Sequence, residues 1–314
     1  MQKRFYFTLA HLALLASSII YGLNFSIAKS VMPDSIKPLA LVSLRTLVTG
    51  LLYWVTSLFL PKERVERKDL FFLLGCSFLS VIINQMLFLA GLNLTTPVNS
   101  SIIIALTPVT ALVFSAIILR EKISFLKGTG LSMGFAGIIL LILNDGRPDL
   151  SSSRFVGNIY TFVNMLSWSL YTVVVKRMLE KYHPVTVMKW TFLFGIFITV
   201  PAGYPQWSTN AWSEISLNGW LAIGFVAVFS TYLGYLLISF GLKRLSPTIV
   251  NTYTYIQTAF AAFVASLAGQ DTLSAVKIVS AIMIFVGVWL VSLQQKATIT
   301  VGAGRSDPAF TGKG

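Results

Sequence analysis

The sequence predicts an all-α integral membrane protein of ten transmembrane helices, built as two inverted five-helix repeats. Three observations carry this prediction. The 314 residues are 55% apolar and only 11% charged, with a mean hydropathy of +0.76, whereas a soluble globular chain carries roughly 25% charge. The apolar residues gather into runs near the roughly 20 residues that a hydrocarbon core requires. The later runs also resemble the earlier ones in order, and each half holds an odd number of them.

Taken along the chain, the first five runs are Leu9–Val31, Leu39–Leu60, Leu70–Gly91, Pro97–Leu119 and Gly128–Leu143. The second five are Phe155–Val175, Pro184–Gly203, Gly219–Gly241, Pro247–Ala268 and Val276–Leu293. Lys3 and Arg4 ahead of the first run suggest a signal peptide, but the run is too long for one and reads as a span. Connections are short and leave no room for a soluble catalytic domain. The chain divides into repeats at 1–146 and 147–297, with a Gly-rich tail at 298–314 expected to be disordered.

Lys and Arg set the orientation, because they collect on the cytoplasmic side. They crowd alternate connections: Lys3 and Arg4; Lys62, Arg64, Arg67 and Lys68; Arg120, Lys122 and Lys127; Lys176, Arg177 and Lys181; Lys243 and Arg244; Lys296, Arg305 and Lys313. The intervening connections hold Lys37, Arg147, Arg154 and Lys277. Both termini are therefore expected in the cytoplasm, with the chain in the cytoplasmic (inner) membrane. The net charge of +13 is spread over these clusters rather than gathered on one patch, so nucleic acid is not an expected partner.

Residues 91–143 align without a gap on 241–293, matching Gly91 with Gly241, Pro97 with Pro247, Ser124 with Ser274, Lys127 with Lys277 and Gly137 with Gly287. Polar sites pair too, Glu121 with Asp271 and Ser80 with Ser230, and YGLNFSIAK (Tyr21–Lys29) lies on WSLYTVVVK (Trp168–Lys176). Five spans per half is odd, so the second half must cross upside down. Inverted repeats place a binding site near the midplane and let its two sides open alternately.

Polar groups inside hydrocarbon are costly unless they face a cavity or a partner. In span one, Ser17, Tyr21, Asn24 and Ala28 share one helix face, and Thr161, Asn164, Trp168 and Tyr171 form its equivalent in span six. Such faces either line a cavity or glue helices together; aromatic rings with polar tips favour the cavity. Span nine carries a stripe of Thr248, Asn251, Thr252, Tyr255 and Thr258, with Gln257 beside it. Span eight adds Ser230, Thr231, Tyr232 and Tyr235, and span three adds Ser80, Asn84 and Gln85. The candidate substrate-binding residues are thus Tyr21, Asn24, Arg45, Asn84, Gln85, Trp168, Tyr171, Tyr235, Asn251, Tyr255 and Gln257.

Arg45 lies inside span two, with no Asp or Glu in any apolar core to pair with it. It either satisfies itself on helix-end carbonyls or attracts an anionic substrate group. Lys189 in span seven reads as its inverted counterpart, and Lys29 at the outer end of span one is expected to snorkel to the headgroups. Pro108 interrupts span four by removing a backbone donor, as a hinge on which the cavity opens or as a fixed kink. Gly130, Gly134 and Gly137 give span five a packing face.

Metal, cofactor and enzyme chemistry are not expected. Cys76 is the sole cysteine, His11 and His183 are far apart, and no HExxH occurs. Glu121 and Asp271, at the ends of spans four and nine, read as loop anchors or salt-bridge partners rather than proton carriers.

In this order and spacing, these residues resemble the drug/metabolite transporter superfamily, specifically its EamA-type ten-helix permeases. The resemblance rests on YGLNFSIAK, Arg45, LTPVTALVFSAIILREKIS (Leu106–Ser124) with Pro108 and Glu121, and GFAGIILL (Gly134–Leu141), and it runs from Leu9 to Leu293. The second half departs from the pattern, with Thr258 where the family often has Pro and Asp271 where it has Glu. The resemblance implies a cytoplasmic-membrane carrier, often an exporter of amino acids and related metabolites, with a central cavity between two bundles. Amides, hydroxyls, aromatics and one or two cations suit a small polar or zwitterionic metabolite. That metabolite and the lipid bilayer are the expected partners, and the sequence leaves monomer and homodimer both open. Competing readings are a sugar-phosphate or nucleotide-sugar exchanger, which would ask for more cations at mid-depth, and a non-transporting scaffold or sensor.

Overall fold

The computed structural model describes residues 2–119, 125–144, 152–271 and 274–303, and among them every regular element is helical. Joined end to end, these helices make ten rods: α1 (Gln2–Val31), α2 (Pro38–Leu58), α3 (Arg67–Leu94), α4 as α4a (Pro97–Ile104) and α4b (Thr107–Leu119), α5 (Phe125–Asn144), α6 (Ser153–Lys181), α7 (Pro184–Ser208), α8 (Leu217–Leu242), α9 as α9a (Pro247–Thr252) and α9b (Thr254–Leu267), and α10 (Ala275–Ala303). Among the described residues, six rods, α1, α2, α3, α4, α7 and α8, are long and apolar enough to cross a membrane by length and composition. α10 continues to Ala303, past the start of the expected tail; residues 304–314 and Glu121 lie outside the described residues.

Rod starts follow local chemistry. Thr96 and Ser246 each cap a helix whose first residue is proline, with the side-chain oxygen accepting from Asn99 N at 3.2 Å and from Ile249 N at 3.4 Å. A proline there loses nothing, because its missing N–H would have had no intrahelical partner. α2 and α7 likewise begin on Pro38 and Pro184.

Four rods are irregular at mid-length, at equivalent places in the two halves. α3 and α8 carry π-helical stretches at Phe78–Ile83 and Phe225–Leu233. α4 breaks at Ala105 and Leu106, and α9 at Tyr253. Pro108 is the second residue of α4b, and the Ile104 carbonyl that its missing N–H leaves free accepts from the Thr107 hydroxyl. α9 breaks without a proline; there Thr254 donates to the Asn251 carbonyl at 2.7 Å and Thr258 to the Ser101 carbonyl on α4a at 2.9 Å.

Packing follows the same exchange of halves. α2 packs along α7 and α5 along α10; α3 packs on α6 as α8 does on α1; α6 meets α4 as α1 meets α9. α4a lies against α9b and α9a against α4b, so the two broken rods cross antiparallel at their breaks. Close approach requires glycine at several crossings. A Cβ on Gly287 of α10 would sit 2.8 Å from Gly134 N of α5, so the glycine face of α5 is a packing face.

The corners are tied in equivalent pairs. At one end, Gln206 and Asn210 accept from Leu39 N (2.8 Å) and Lys37 N (3.1 Å). At the other, Glu63 accepts from His183 N (2.9 Å), and Lys181 bridges Glu66 and Asp69, each at 2.6 Å. The Lys181 ammonium, with Lys68 behind it, holds the Glu66 carboxyl below its ordinary value. Asp271, expected as an anchor, pairs with Lys277 at the start of α10.

The α2–α7 contact gives the first prediction. A Cβ on Gly203 would collide with the Ser43 hydroxyl and the Leu39 carbonyl, whereas one on Gly224 meets nothing. Gly203→Ala should lower stability by about 1–3 kcal/mol, the usual penalty for overpacking, while Gly224→Ala should leave it unchanged or raise it slightly. Thermal unfolding in detergent measures both.

Candidate functional site

The four irregular rods surround a central cavity together with α1, α2 and α6. It encloses about 790 Å³ of empty space, the part open to solvent included. The polar faces of α1 and α6 reach it through Ser17, Tyr21 and Asn24, and through Asn164 and Trp168. α2 contributes Arg45, α3 Asn84, α8 Ser230, Thr231 and Tyr235, and α9 Asn251 and Gln257. Eight of the candidate residues, Tyr21, Asn24, Arg45, Asn84, Trp168, Tyr235, Asn251 and Gln257, therefore share one cavity.

The structure places the other three elsewhere. Gln85 stands behind the wall, its amide donating to the Tyr235 hydroxyl at 3.2 Å and its backbone carbonyl accepting from Arg45 Nη2 at 3.3 Å. Tyr171 is buried beside Met188 and supports Trp168, with ring centroids 5.3 Å apart. Tyr255 turns away to meet Phe285 of α10 edge-on at 5.3 Å. Pro108 lies beside the cavity-lining Thr107.

The break in α9 explains the displacement of Tyr255. A continuous helix would align it with Asn251, but the interruption at Tyr253 shifts the register and brings Tyr253, Thr254 and Gln257 inward. Tyr253 is held by the His11 ring, with 2.6 Å from Nδ1 to its hydroxyl, and by Ser18, whose hydroxyl lies 2.9 Å from its carbonyl. The candidate set also omitted the apolar lining, Phe25, Phe88 and Met165. Periodicity signals polar residues in apolar runs and is silent on apolar ones.

Arg45 dominates the electrostatics. The residue is only 4% exposed, its Nε has no protein partner, and among the described residues no Asp or Glu lines the cavity. The guanidinium lies over Phe88, 6.0 Å from the ring centroid. A buried charge without a counter-ion is unfavourable, which makes Arg45 the leading candidate of the set. Lys189 does not share the cavity; it rests on the Trp54 ring at 5.1 Å. Counted from the prolines that open α2 and α7, the residue equivalent to Arg45 is Thr191, and among the described residues that line the cavity Arg45 is the one cation.

Around that charge the walls are cross-braced. The Tyr235 hydroxyl donates to the Ser80 carbonyl at 2.7 Å, and its ring meets Trp168 edge-on at 5.3 Å. Asn84 and Asn164 exchange amide-to-carbonyl bonds between α3 and α6, at 3.5 and 2.7 Å. Asn251 Nδ2 donates to Thr172 at 2.9 Å, joining α9a to α6.

The EamA-like transporter family matches the chain twice, over residues 8–143 and again over 155–293. The chain belongs to that family. It is therefore a multi-pass membrane transporter, and the duplicated match accounts for the paired irregularities of its rods. Among similar proteins, the uncharacterized transporter YyaM of Bacillus subtilis is 24% identical over 203 residues, covering 64% of this chain and 66% of its own length. The uncharacterized transporter YvbV of the same organism is 24% identical over 297 residues, 93% of this chain and 94% of its own. A solved structure titled "Crystal structure of protein" superposes with a TM-score of 0.65 at 16% identity, over 92% of this chain and 98% of its own; this likeness concerns the fold alone.

Tyr235 is the brace with the most partners. Tyr235→Phe removes the donor to the Ser80 carbonyl and the acceptor for Gln85, and should cost about 1–3 kcal/mol of stability. An unchanged unfolding midpoint would show that the brace carries no load.

Proposed function

We propose that the protein is a secondary carrier that exports amino acids or related small polar metabolites by alternating access through the central cavity. In this reading all ten rods cross the cytoplasmic (inner) membrane, both termini are cytoplasmic, and the second half is inverted relative to the first. The antiparallel crossing of α4 and α9 supports the inversion.

The observation that carries the reading is a pair of equivalent ties at opposite ends of the cavity. Lys29, at the end of α1, donates to the carbonyls of Leu92 (2.9 Å), Asn93 (2.7 Å) and Thr95 (3.0 Å) at the end of α3. Rather than snorkelling to lipid, it satisfies carbonyls that the helix itself leaves free. Its repeat partner Lys176, at the end of α6, donates to the Leu242 carbonyl at the end of α8 at 2.7 Å. α1 packs chiefly with α8 and α9, and α6 with α3 and α4, so each lysine joins one bundle to the other. Breaking one tie while the other holds would open the cavity to one side only. A single cavity cation also fits amino acids better than sugar phosphates or nucleotide sugars, whose multiple charges ask for more.

Proteoliposomes test the proposal. The wild type should move one or a few labelled amino acids well above empty vesicles, and Trp168→Ala at equal incorporation should lose most of that flux. No flux of amino acids, sugars, nucleotide derivatives or drugs would overturn it in favour of a scaffold or sensor.

A further inference from the structure

The cavity's chemistry narrows the cargo, on the footing that the protein is a carrier. Among the described residues its one charged lining group is the Arg45 guanidinium, 4% exposed and with Nε unpartnered. Asn24, 1% exposed, leaves its Oδ1 without a protein partner, and the buried Tyr21 hydroxyl also has none. All three residues line the same cavity. Phe25, next to Asn24, meets Phe88 edge-on at 5.4 Å, and Arg45 lies over the same Phe88 ring. One turn along α1, the Tyr21 ring fills the space above Gly234, the residue before Tyr235, whose hydroxyl is joined through Gln85 to Arg45.

We propose that the substrate is a monocarboxylic acid with a hydrogen-bond donor on carbon 2 and an uncharged apolar body: a 2-amino or 2-hydroxy acid. The carboxylate docks on the free edge of Arg45 with the Tyr21 hydroxyl, where a fork of N–H donors matches two oxygens. The ammonium or hydroxyl on carbon 2 donates to Asn24 Oδ1, which as an amide oxygen can only accept. The body lies against Phe25, Phe88, Met165 and Trp168. Organic cations find no carboxylate here, and a phosphate dianion finds half the positive charge it needs.

The test is uptake by proteoliposomes holding the full chain, using compounds on one skeleton: L-leucine, 2-hydroxy-4-methylpentanoate, 4-methylpentanoate, L-leucinamide and isobutyl phosphate, with the corresponding phenylalanine series beside them. The 2-amino or 2-hydroxy acids of at least one series should be carried. The unsubstituted acid should be slower by about tenfold or more, the worth of one hydrogen bond to a buried partner, and the amide and phosphate should remain at background. Asn24→Leu should erase the preference for the carbon-2 donor. Arg45→Gln should bring the acids to background, and Arg45→Lys should restore part of the flux. Leucinamide carried as well as leucine would overturn the proposal, as would Arg45→Gln carrying the acids at the wild-type rate. If Arg45→Gln fails to fold, the compound series on the wild type still decides. Flux of a sugar or an organic cation without the acids would leave the carrier reading and remove this one; no flux of any solute would remove both.

Discussion

Inside a bilayer every backbone N–H and C=O has to find its partner within the protein, and an unbroken helix is the simplest way to meet that demand. Among the described residues, the four rods that depart from it all line the cavity. α3 and α8 do so by π-helical stretches, and α4 and α9 by full breaks. Hydroxyls answer each break locally: Thr107 on Ile104, Thr254 on Asn251, and Thr258 across to Ser101. Because these partners are built in, the rods can bend around empty space without exposing orphaned backbone to lipid. The cavity thus depends on a few threonines as much as on the residues that face it.

Charge is distributed by the same economy. Lys29 and Lys176 are spent on helix-end carbonyls, and Lys181 on a carboxylate cluster at a corner. Lys189 rests on an aromatic ring. Arg45 is the cavity cation left without an ionic partner among its lining neighbours, which makes the duplicated fold chemically one-sided. The repeat supplies two equivalent sets of rods, but the first half alone brings a charge to their meeting point.

Much of this was legible in the sequence. Rods that begin on Pro97, Pro184 and Pro247 start where expected, because proline is tolerated at a helix's first residue and disfavoured further in. The polar faces of α1 and α6 were readable because four-and-three spacing survives in unbroken helices. Where the helix breaks, helical periodicity fails for a physical reason. Counting through Tyr253 puts Tyr255 on the polar stripe, and the interruption there rotates it out and Tyr253 in. Gln85 and Asn84 are adjacent in an irregular rod, and only the fold decides which one faces the cavity. Lys29 carries no local signal that three carbonyls of another rod await it. Lys189 matches Arg45 in depth but not in register.

The central claim is that the two ends of one cavity open in turn, and distances across those ends test it most directly. With Cys76 replaced by alanine, spin labels at Ser30→Cys and Ser153→Cys would span one end, and labels at Glu180→Cys and Arg244→Cys the other. The account predicts that electron–electron resonance distances in lipid change in opposite directions when a carried solute is added, one pair separating as the other closes. Both distances fixed, or both growing together, would contradict it.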